Sequence, residues 1–341
     1  MTARRLMAVV LAAVLFAAPP SYSAETIGIF ESLLESSQSF SETTAALEVA
    51  LEDSSFQLHG SHVVRVPDGK HQAKVYVLTA PAYAEAASAE SASTVSAQVL
   101  RIAVYTQGDE QKTYVNMANP VAHAMVFYAN SSNYDALIAA ARNVASDMRQ
   151  LVAALPGEAL SRQQKPMRSE KHYRKFKGDG PARMMAKFRN FEKSQLPIRR
   201  DSSAGFDATV EAVVAALKAG TVSDASGSTG WEIVAQVRLR EDAVYVGVTN
   251  PYIEDKMVRI NSRFRGDSKS ELSPYPGVDH VAALPTDILV IQDGDKTRVV
   301  HYGQMWRMQL YFWDSGYRAF TANVGVPSTI ANSIEAALES K

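Results

Sequence analysis

Two stretches of the chain, RIAVYTQGDEQKTYV at residues 101–115 and DILVIQDGDKTRV at residues 287–299, share one pattern that decides the fold. Each has two apolar runs joined by a turn containing glycine and aspartate, at residues 108–109 and 293–295. Glycine beside aspartate between apolar runs favours a β-hairpin, because the tight turn needs a positive φ angle. The sequence therefore predicts one antiparallel hairpin in each half of the chain.

Further matching segments surround the two hairpins and follow the same order in both halves. They are residues 40–51 and 206–217, residues 56–58 and 231–234, residues 75–81 and 245–251, and the closing helices 134–155 and about 327–338. The first pair begins with an aromatic residue, followed by Ser41 or Asp207 as the expected helix N-cap. The third pair ends in Thr-x-Pro, which is expected to end a strand and begin a helix with proline in its first turn.

Each half is thus predicted to run helix, strand, strand, helix, hairpin, helix. This order indicates an α+β fold with two copies of a two-layer α/β sandwich, each a mostly antiparallel sheet with helices on one face. A basic, partly helical linker is expected between the copies. The predicted boundaries are a signal peptide at 1–23, a first repeat at 24–158, the linker at 159–203 and a second repeat at 204–341.

The first 23 residues have the three parts of a secretory signal. Arg4 and Arg5 precede an apolar run at residues 6–18, and small residues at 21 and 23 suit cleavage before Ala24. The apolar run is shorter than the ~20 residues that span a bilayer. We therefore expect a periplasmic or secreted protein without a transmembrane segment after cleavage. An uncleaved anchor or a buried helix remains the alternative.

The composition excludes several kinds of chemistry. The chain has no cysteine, so disulfides, cysteine-ligated metals and thiol nucleophiles are ruled out. Its 35 basic and 36 acidic residues give a net charge of −1, which argues against nucleic acid as a partner. No phosphate-binding loop, nucleophile elbow or paired carboxylates are recognisable, so we do not favour an enzyme.

The near-neutral charge hides one strongly basic segment. Residues 162–200 hold thirteen Lys and Arg against three Asp and Glu, a formal charge of +10. One interpretation is docking of a small anion, an acidic protein or lipid headgroups. The expected contacts are Arg174, Lys175, Lys177 and Lys187. The other interpretation, which the sequence favours, is a solvated linker that neutralises two acidic repeats.

The long insertion at residues 261–281 suggests a second anion-binding surface. Its Arg263 and Arg265, together with Arg259 and Arg307, are expected to form a rim, because guanidinium groups suit oxyanions. A mobile surface loop is the alternative. The remaining ligand-binding candidates are Asn119, His123, Asn250 and Tyr252.

Histidines offer a weaker, metal-based alternative. His59 and His62 lie close together in the chain, and His301 is a further possible ligand for a metal or for haem. Imidazoles at exposed strand ends are common, and Met and aromatic residues near His123 and His301 fit core packing better. No cofactor is therefore predicted.

Over residues 38–158 and 204–340 the chain resembles, in tandem, the domain-of-unknown-function family numbered 302. The residues that carry the resemblance are Gly230-Trp231, residues 248–251, residues 283–288 and Asn119-Pro120. The resemblance implies a compact α+β domain that often assembles in pairs. Family members often have cysteine where this chain has Thr249 and Thr286, so a thiol-dependent role is not open to it.

Together these patterns favour an exported, soluble accessory or binding protein whose two repeats form an intrachain pseudo-dimer. The alternatives are a haem- or metal-binding redox protein with His and Met ligands, and an envelope-interaction protein that acts through residues 162–200.

Overall fold

The computed structural model describes residues 26–175, 195–198, 205–224, 227–264, 277–313 and 321–339, with side chains omitted at a few of these. The predicted signal peptide, Lys177, Lys187 and Arg265 lie outside the described residues. We call residues 26–175 the first half and residues 195–339 the second half.

The first half contains one six-stranded sheet with its helices. Its elements are β1 (Thr26–Ser36), α1 (Phe40–Glu52), β2 (Gln57–Val64), β3 (Ala73–Thr79), α2 (Pro81–Ala86), a first 3₁₀ helix (Ala92–Gln98), β4 (Leu100–Gln107), β5 (Lys112–Ala118), α3 (Pro120–Phe127), α4 (Tyr134–Ala153), β6 (Gly157–Ser169) and α5 (Glu170–Arg174). The strand order is β2-β3-β4-β5-β1-β6, and neighbouring strands are antiparallel.

The second half contains a five-stranded sheet. Its elements are β7 (Gln195–Ile198), α6 (Phe206–Ala219), β8 (Thr221–Asp224), β9 (Gly227–Gly230), β10 (Glu232–Arg240), β11 (Ala243–Thr249), α7 (Pro251–Phe264), a second 3₁₀ helix (Val278–Ala283), β12 (Thr286–Asp293), β13 (Lys296–Tyr302), α8 (Gln304–Phe312) and α9 (Val326–Glu339). The main sheet has the order β10-β11-β12-β13-β7, again antiparallel, and β8 pairs with β9.

The α+β fold class is confirmed by these antiparallel sheets and their helices. Both predicted hairpins form, β4 with β5 and β12 with β13. Their turns place Gly108 at φ 83° and Gly294 at φ 65°, in the region that glycine adopts without steric cost. Both Thr-x-Pro sequences end a strand, and α2 and α7 begin at the proline as predicted.

The predicted helix caps are wrong. α1 begins at Phe40, one residue before the expected cap, and its N-cap is Ser39. The Ser39 hydroxyl accepts from the backbone N–H of Glu42, whose carboxylate accepts from the Ser39 N–H in return. This reciprocal capping box satisfies the backbone N–H groups of Ser39 and Glu42. Ser41 lies inside the helix and does not bond to either of them. α6 likewise begins at Phe206, after Gly205 rather than after Asp207.

Two strands of the first sheet lie outside the predicted elements. β1 sits between β5 and β6 and pairs with both. Residues 159–169, which the sequence analysis assigns to the basic linker, form most of β6. Their alternating burial, with Gln164, Pro166 and Arg168 inside, anchors this part of the basic segment to the sheet. None of the helices within the described residues is long and apolar enough to cross a lipid bilayer.

The two halves contact each other through exchanged 3₁₀ helices. The second 3₁₀ helix packs on β3, β4 and β5 of the first sheet, and the first 3₁₀ helix packs on β10, β11 and β12 of the second sheet. The buried apolar residues of both halves belong to one continuous cluster.

β2 and β10 also meet between the halves. A Cβ atom at Gly60 would collide with the backbone carbonyl of Val234, so only glycine permits this close approach.

Candidate functional site

A cleft of about 830 Å³ opens on the first half between α3, α4, α5 and the strands β1 and β6. It is lined by Ile27, Asn119, Val121, Met125, Ala129, Asn130, Arg142, Arg149, Gln163, Glu170, Lys171, Arg174 and Lys175. Five of these side chains are basic and one is acidic. Asn119, Arg174 and Lys175 are candidates that the sequence proposed for different roles, and the structure brings them together here.

Helical spacing places the basic side chains on the cleft. Arg142 and Arg149 are seven residues apart on α4, which puts them two turns apart on one face of the helix. The opposite face of α4 carries Leu137, Ala141 and Met148 into the core. Lys171, Arg174 and Lys175 come from α5 and its C-terminal end.

Arg149 is neutralised by a buried carboxylate. Its Nε and Nη2 donate to the two oxygens of Glu31 at 2.7 and 2.8 Å. Glu31, which is fully buried, also accepts from Gln163 Nε2 at 2.8 Å and Ser161 Oγ at 3.3 Å. The hydrogen bond with Glu31 raises the pKa of the Arg149 guanidinium. Arg149 therefore shapes the cleft rather than adding free charge to it.

The Arg174 side chain is held in place by neutral groups, and its positive charge is only weakly paired. Its Nη2 donates to the Ala129 carbonyl at 3.3 Å, and its guanidinium lies 4.0 Å from the centre of the Tyr134 ring. The carboxylate of Glu170 is 3.9 Å away, a weak ion pair between exposed groups.

Within the described residues, no ion pair or hydrogen bond is made by the side chains of Arg142, Lys171 or Lys175. The cleft therefore has an excess of positive charge.

Two of the three amide side chains in the cleft, those of Asn119 and Gln163, are already engaged. Asn119 caps α3: its Oδ1 accepts from the Val121 N–H at 3.0 Å and its Nδ2 donates to the Gly28 carbonyl at 3.1 Å. Gln163 donates to Glu31 and accepts from the Gly28 N–H at 2.9 Å. Asn119 is thus buried as a helix cap, with its hydrogen-bonding groups used inside the protein.

Arg307 and His123 meet at a second place, a buried polar network between the halves. His123 Nε2 is 2.9 Å from the Tyr311 hydroxyl, which accepts from Arg101 at 3.4 Å. Arg101 also approaches Asp287 at 3.4 Å, and Arg307 lies 3.9 Å from the same carboxylate. Burial and then the charges of the two arginines hold the pKa of His123 well below its usual range. His123 is therefore a neutral core histidine in this network.

Arg307 is buried and donates mainly to backbone carbonyls rather than to a ligand. It donates to the backbone oxygens of Ala283 and Pro285 at 2.7 and 3.1 Å and to the Thr286 hydroxyl at 2.9 Å. Arg259 is exposed and paired with Asp255 at 2.9 Å, and it lines a different cavity from Arg307. The structure thus does not bring the two arginines of the expected rim together.

The remaining candidates of the second half lie around the start of α7. Asn250 is buried and mirrors Asn119: its Oδ1 accepts from the Tyr252 N–H at 2.7 Å, and its Nδ2 donates to the Gly230 carbonyl at 2.7 Å. Tyr252 lines a cavity of about 330 Å³ with Arg65 and Arg259. The Arg263 side chain is outside the described residues. Of the expected insertion, residues 278–281 are buried in the second 3₁₀ helix.

The three proposed metal ligands have separate partners. His59 is 2.7 Å from the Thr79 hydroxyl, and burial lowers its pKa. His62 is 2.7 Å from Glu254 and 3.3 Å from Glu232. Burial also lowers the pKa of His301, to about 4. The part of the chain that the structure describes contains no cluster of three or more His, Asp or Glu able to hold a metal ion.

Sequence reasoning missed Arg142, Arg149 and Lys171 as parts of one site. A signal for the first two was present, since they are seven residues apart in the predicted helix 134–155. The charge of residues 162–200 alone does not indicate that the helix at 134–155 lies beside them.

The fold and the cleft define the class: an α+β protein with two antiparallel sheets and a cationic cleft. No family model matches the chain, and no curated protein matches it. Among solved structures, the chain is similar to the uncharacterized conserved protein DUF302 from Bacillus stearothermophilus. The identity is 15%, the TM-score is 0.30, and the match covers 37% of this chain and 96% of that chain. The tandem repeat stays a prediction.

Proposed function

We propose that the protein is an exported accessory protein that binds a small anionic ligand in the cleft of the first half. The observation that carries this proposal is the lining of the cleft, where four basic side chains remain after Arg149 is neutralised and Glu170 is the one acidic side chain among the described lining residues. Guanidinium and ammonium groups are the protein's natural partners for carboxylates and phosphates. A volume of about 830 Å³ lies within the range of ligand sites.

The shape of the site strengthens this electrostatic argument. A concave surface with charge of one sign focuses the field and raises the local concentration of counter-ions. The basic groups come from α4 and α5, whose positions are fixed by packing on the first sheet. The ligand is therefore expected to meet a preformed site, which limits the ordering cost of binding.

A direct test is calorimetric titration of the mature protein with phosphate, citrate and octanoate at low salt. We expect at least one of these anions to bind, and Arg142→Gln to weaken it about tenfold, since a charge-assisted hydrogen bond contributes roughly 1.5–3 kcal/mol. Lys296→Gln, an exposed change on the far hairpin, is the matched control. Absence of binding by every anion, or equal loss in both variants, would overturn the proposal.

The proposed pseudo-dimer is supported by contacts between equivalent elements. Each 3₁₀ helix packs on the sheet of the other half. Arg101 and Asp287 occupy matching positions of β4 and β12 and face each other at 3.4 Å. In a symmetric dimer of identical chains such a position faces its own copy. Here the two positions carry opposite charges and form an ion pair. Such a pair is possible when the two halves belong to one chain and differ in sequence.

Export is proposed from the first 23 residues alone. Its test is N-terminal sequencing of the protein recovered from the periplasmic or culture fraction of an expressing bacterium. A mature terminus at Ala24 is expected. Full-length protein retained in the cytoplasm would refute this part of the proposal and leave the binding site untouched.

A second candidate function is docking of an acidic protein or of lipid headgroups through the basic segment. It is supported by Lys171, Arg174 and Lys175, which are exposed at the beginning of that segment. Charge reversal at Arg174 and Lys175 should then abolish co-sedimentation with vesicles containing anionic lipid, with folding unchanged. Retained co-sedimentation would exclude docking at these residues.

A further inference from the structure

We propose that the ligand of the cleft is a single-chain amphipathic anion, with a carboxylate or phosphate head and an alkyl tail. This inference rests on the proposed anion binding and adds the chemical class of the ligand. The head would be held by Arg142, Lys171 and Lys175, and the tail would lie against the apolar part of the cleft.

The cleft has an apolar side as well as a basic one. Val121 and Met125 are four residues apart on α3 and therefore share one face of that helix. Ile27 of β1 and Ala129, which follows α3, complete this side. Methionine is flexible and polarisable, so it adapts to an alkyl chain better than a rigid side chain does. No aromatic ring lines the cleft among the described residues, so nothing there suits stacking on a base or a sugar.

Two of the three amide side chains that line the cleft are not available to a polyhydroxylated ligand. The amide of Asn119 is used by Gly28 and Val121, and the amide of Gln163 is used by Glu31 and Gly28. A sugar or nucleoside needs several free donors and acceptors for its hydroxyl groups, because a buried polar group without a partner is costly. An alkyl chain needs none.

The volume also argues against a bare inorganic anion. Water occupies about 30 Å³ per molecule in the liquid, and an oxyanion such as phosphate is only a few times larger. Such an ion would leave most of a cleft of about 830 Å³ filled with solvent. The observed combination of a basic side, an apolar side and a large volume matches an ion that carries an apolar tail.

The test is calorimetric titration of the mature full-length chain with butanoate, octanoate, dodecanoate, octyl phosphate, inorganic phosphate, uncharged octanol and an acidic hexapeptide. Each amphiphile is kept below its micellar concentration or solubility limit. Affinity should rise by up to about fourfold for each added methylene, because burying one methylene contributes ~0.8 kcal/mol. Octanol should bind more weakly than octanoate, and octyl phosphate should bind more tightly than inorganic phosphate.

Two variants separate the two sides of the cleft. Ile27→Thr keeps a β-branched residue in the strand and makes the apolar side more polar, so it should flatten the dependence of affinity on chain length. Arg142→Gln should weaken every anion about equally. Lys296→Gln should change neither the chain-length dependence nor the affinity for anions.

Each outcome bears on a different proposal. Anion binding that does not depend on chain length overturns this inference and leaves the proposed function standing. Tighter binding of an acidic hexapeptide than of dodecanoate also overturns it, in favour of a peptide ligand. Failure of all the anions, with the chain folded by circular dichroism, removes both proposals.

Discussion

Glu31 shows how a single buried carboxylate can organise a cleft whose surface it does not line. It lies under the cleft and fixes Arg149, Gln163 and Ser161 by four hydrogen bonds. Gln163 in turn accepts from Gly28 and from Asn119, the cap of α3. One charge thus connects α4, β6 and the start of α3, three of the five elements that surround the cleft.

Replacing this carboxylate should be costly. We expect Glu31→Ala to lower the free energy of unfolding by about 2–3 kcal/mol, toward the low end for a broken buried ion pair. The cost stays moderate because the Arg149 side chain is 37% exposed and water can solvate it. Urea denaturation of both proteins measures the difference.

The matched control is Glu35→Ala, since Glu35 lies on β1 as Glu31 does. This substitution removes an exposed ion pair with Lys112 of β5. Its expected cost is below about 1 kcal/mol, as for other surface ion pairs. Equal destabilisation by the two substitutions would show that Glu31 does not organise the cleft.

At the scale of single residues, the sequence located important positions better than it explained them. The sequence predicts Asn119 and Asn250 as ligand contacts, and the structure places both as buried helix caps. Each asparagine precedes a proline at the start of a helix, a pattern that also suits a cap. The cap of α1 is Ser39 and not the predicted Ser41. Ser37, Ser39 and Ser41 all lie near the start of this helix, so the sequence does not decide which of them is the cap.

Among the elements, the two 3₁₀ helices are the least predictable part of the fold and bind the halves together. Neither segment has the periodicity of a long helix, and the second was interpreted as part of an inserted loop. Their position is set by contacts with a sheet about 180 residues away in the chain, which local propensity does not encode. The hairpins were predictable because their turns are local.

β1 and β6 were missed for two different reasons. β1 follows the predicted signal segment and pairs with strands far along the chain. β6 is rich in basic residues, which suggested a linker, although every second residue at 164–168 is buried.

The ion pair between β4 and β12 yields a test of how the halves are joined. Asp287 is the only carboxylate near both Arg101 and Arg307 in the described part of this network. We expect Asp287→Asn to cost about 3–5 kcal/mol in urea denaturation, because it leaves two buried guanidiniums without a counter-charge. Arg101→Met should lower the free energy of unfolding by less, because Asp287 remains paired with Arg307.

Combining the two changes provides the control. The double variant should be more stable than Asp287→Asn alone, since it removes one of the unpaired buried charges. A larger loss for Arg101→Met than for Asp287→Asn would contradict this account of the network.

The contact between β2 and α7 should make stability depend on pH. Burial lowers the pKa of His62, but the hydrogen bond and charge of Glu254 and the charge of Glu232 outweigh it, so the pKa is raised. Glu254 also accepts from the Thr249 hydroxyl and the Arg65 N–H, both at 2.7 Å. The folded state therefore favours charged His62.

A raised pKa in the folded state gives stability that is full below the unfolded value near 6.5 and is lost as pH rises through the folded value. The free energy of unfolding of the wild type relative to His62→Gln should thus fall from pH 5.5 to pH 8.5. Taking the difference cancels the titration of His123 and His301, whose pKa values are lowered. A difference that is constant with pH would disprove the coupling.

For the whole molecule, the exchanged 3₁₀ helices predict that neither half folds alone. Fragments 24–175 and 195–341 each lose the helix that covers one face of their sheet, and they keep an exposed 3₁₀ helix of their own. We expect each fragment to self-associate or to lack a cooperative unfolding transition. An equimolar mixture should recover the near-ultraviolet circular dichroism of the intact chain.

The intact chain is the control for this experiment, and it should unfold in one cooperative transition. Two separate transitions in the intact chain, or two fragments that are monomeric and fold independently, would show that the halves are autonomous domains.

The close approach of Gly60 to the Val234 carbonyl has a consequence for the life of the protein in a crowded compartment. Free strand edges recruit other chains and start fibrillar assembly, and here part of the β10 edge is covered by β2. The covering strand belongs to the other half, so separation of the halves uncovers a template before either sheet has unravelled. The rate of that opening, rather than the overall stability, would then limit how long the protein resists aggregation.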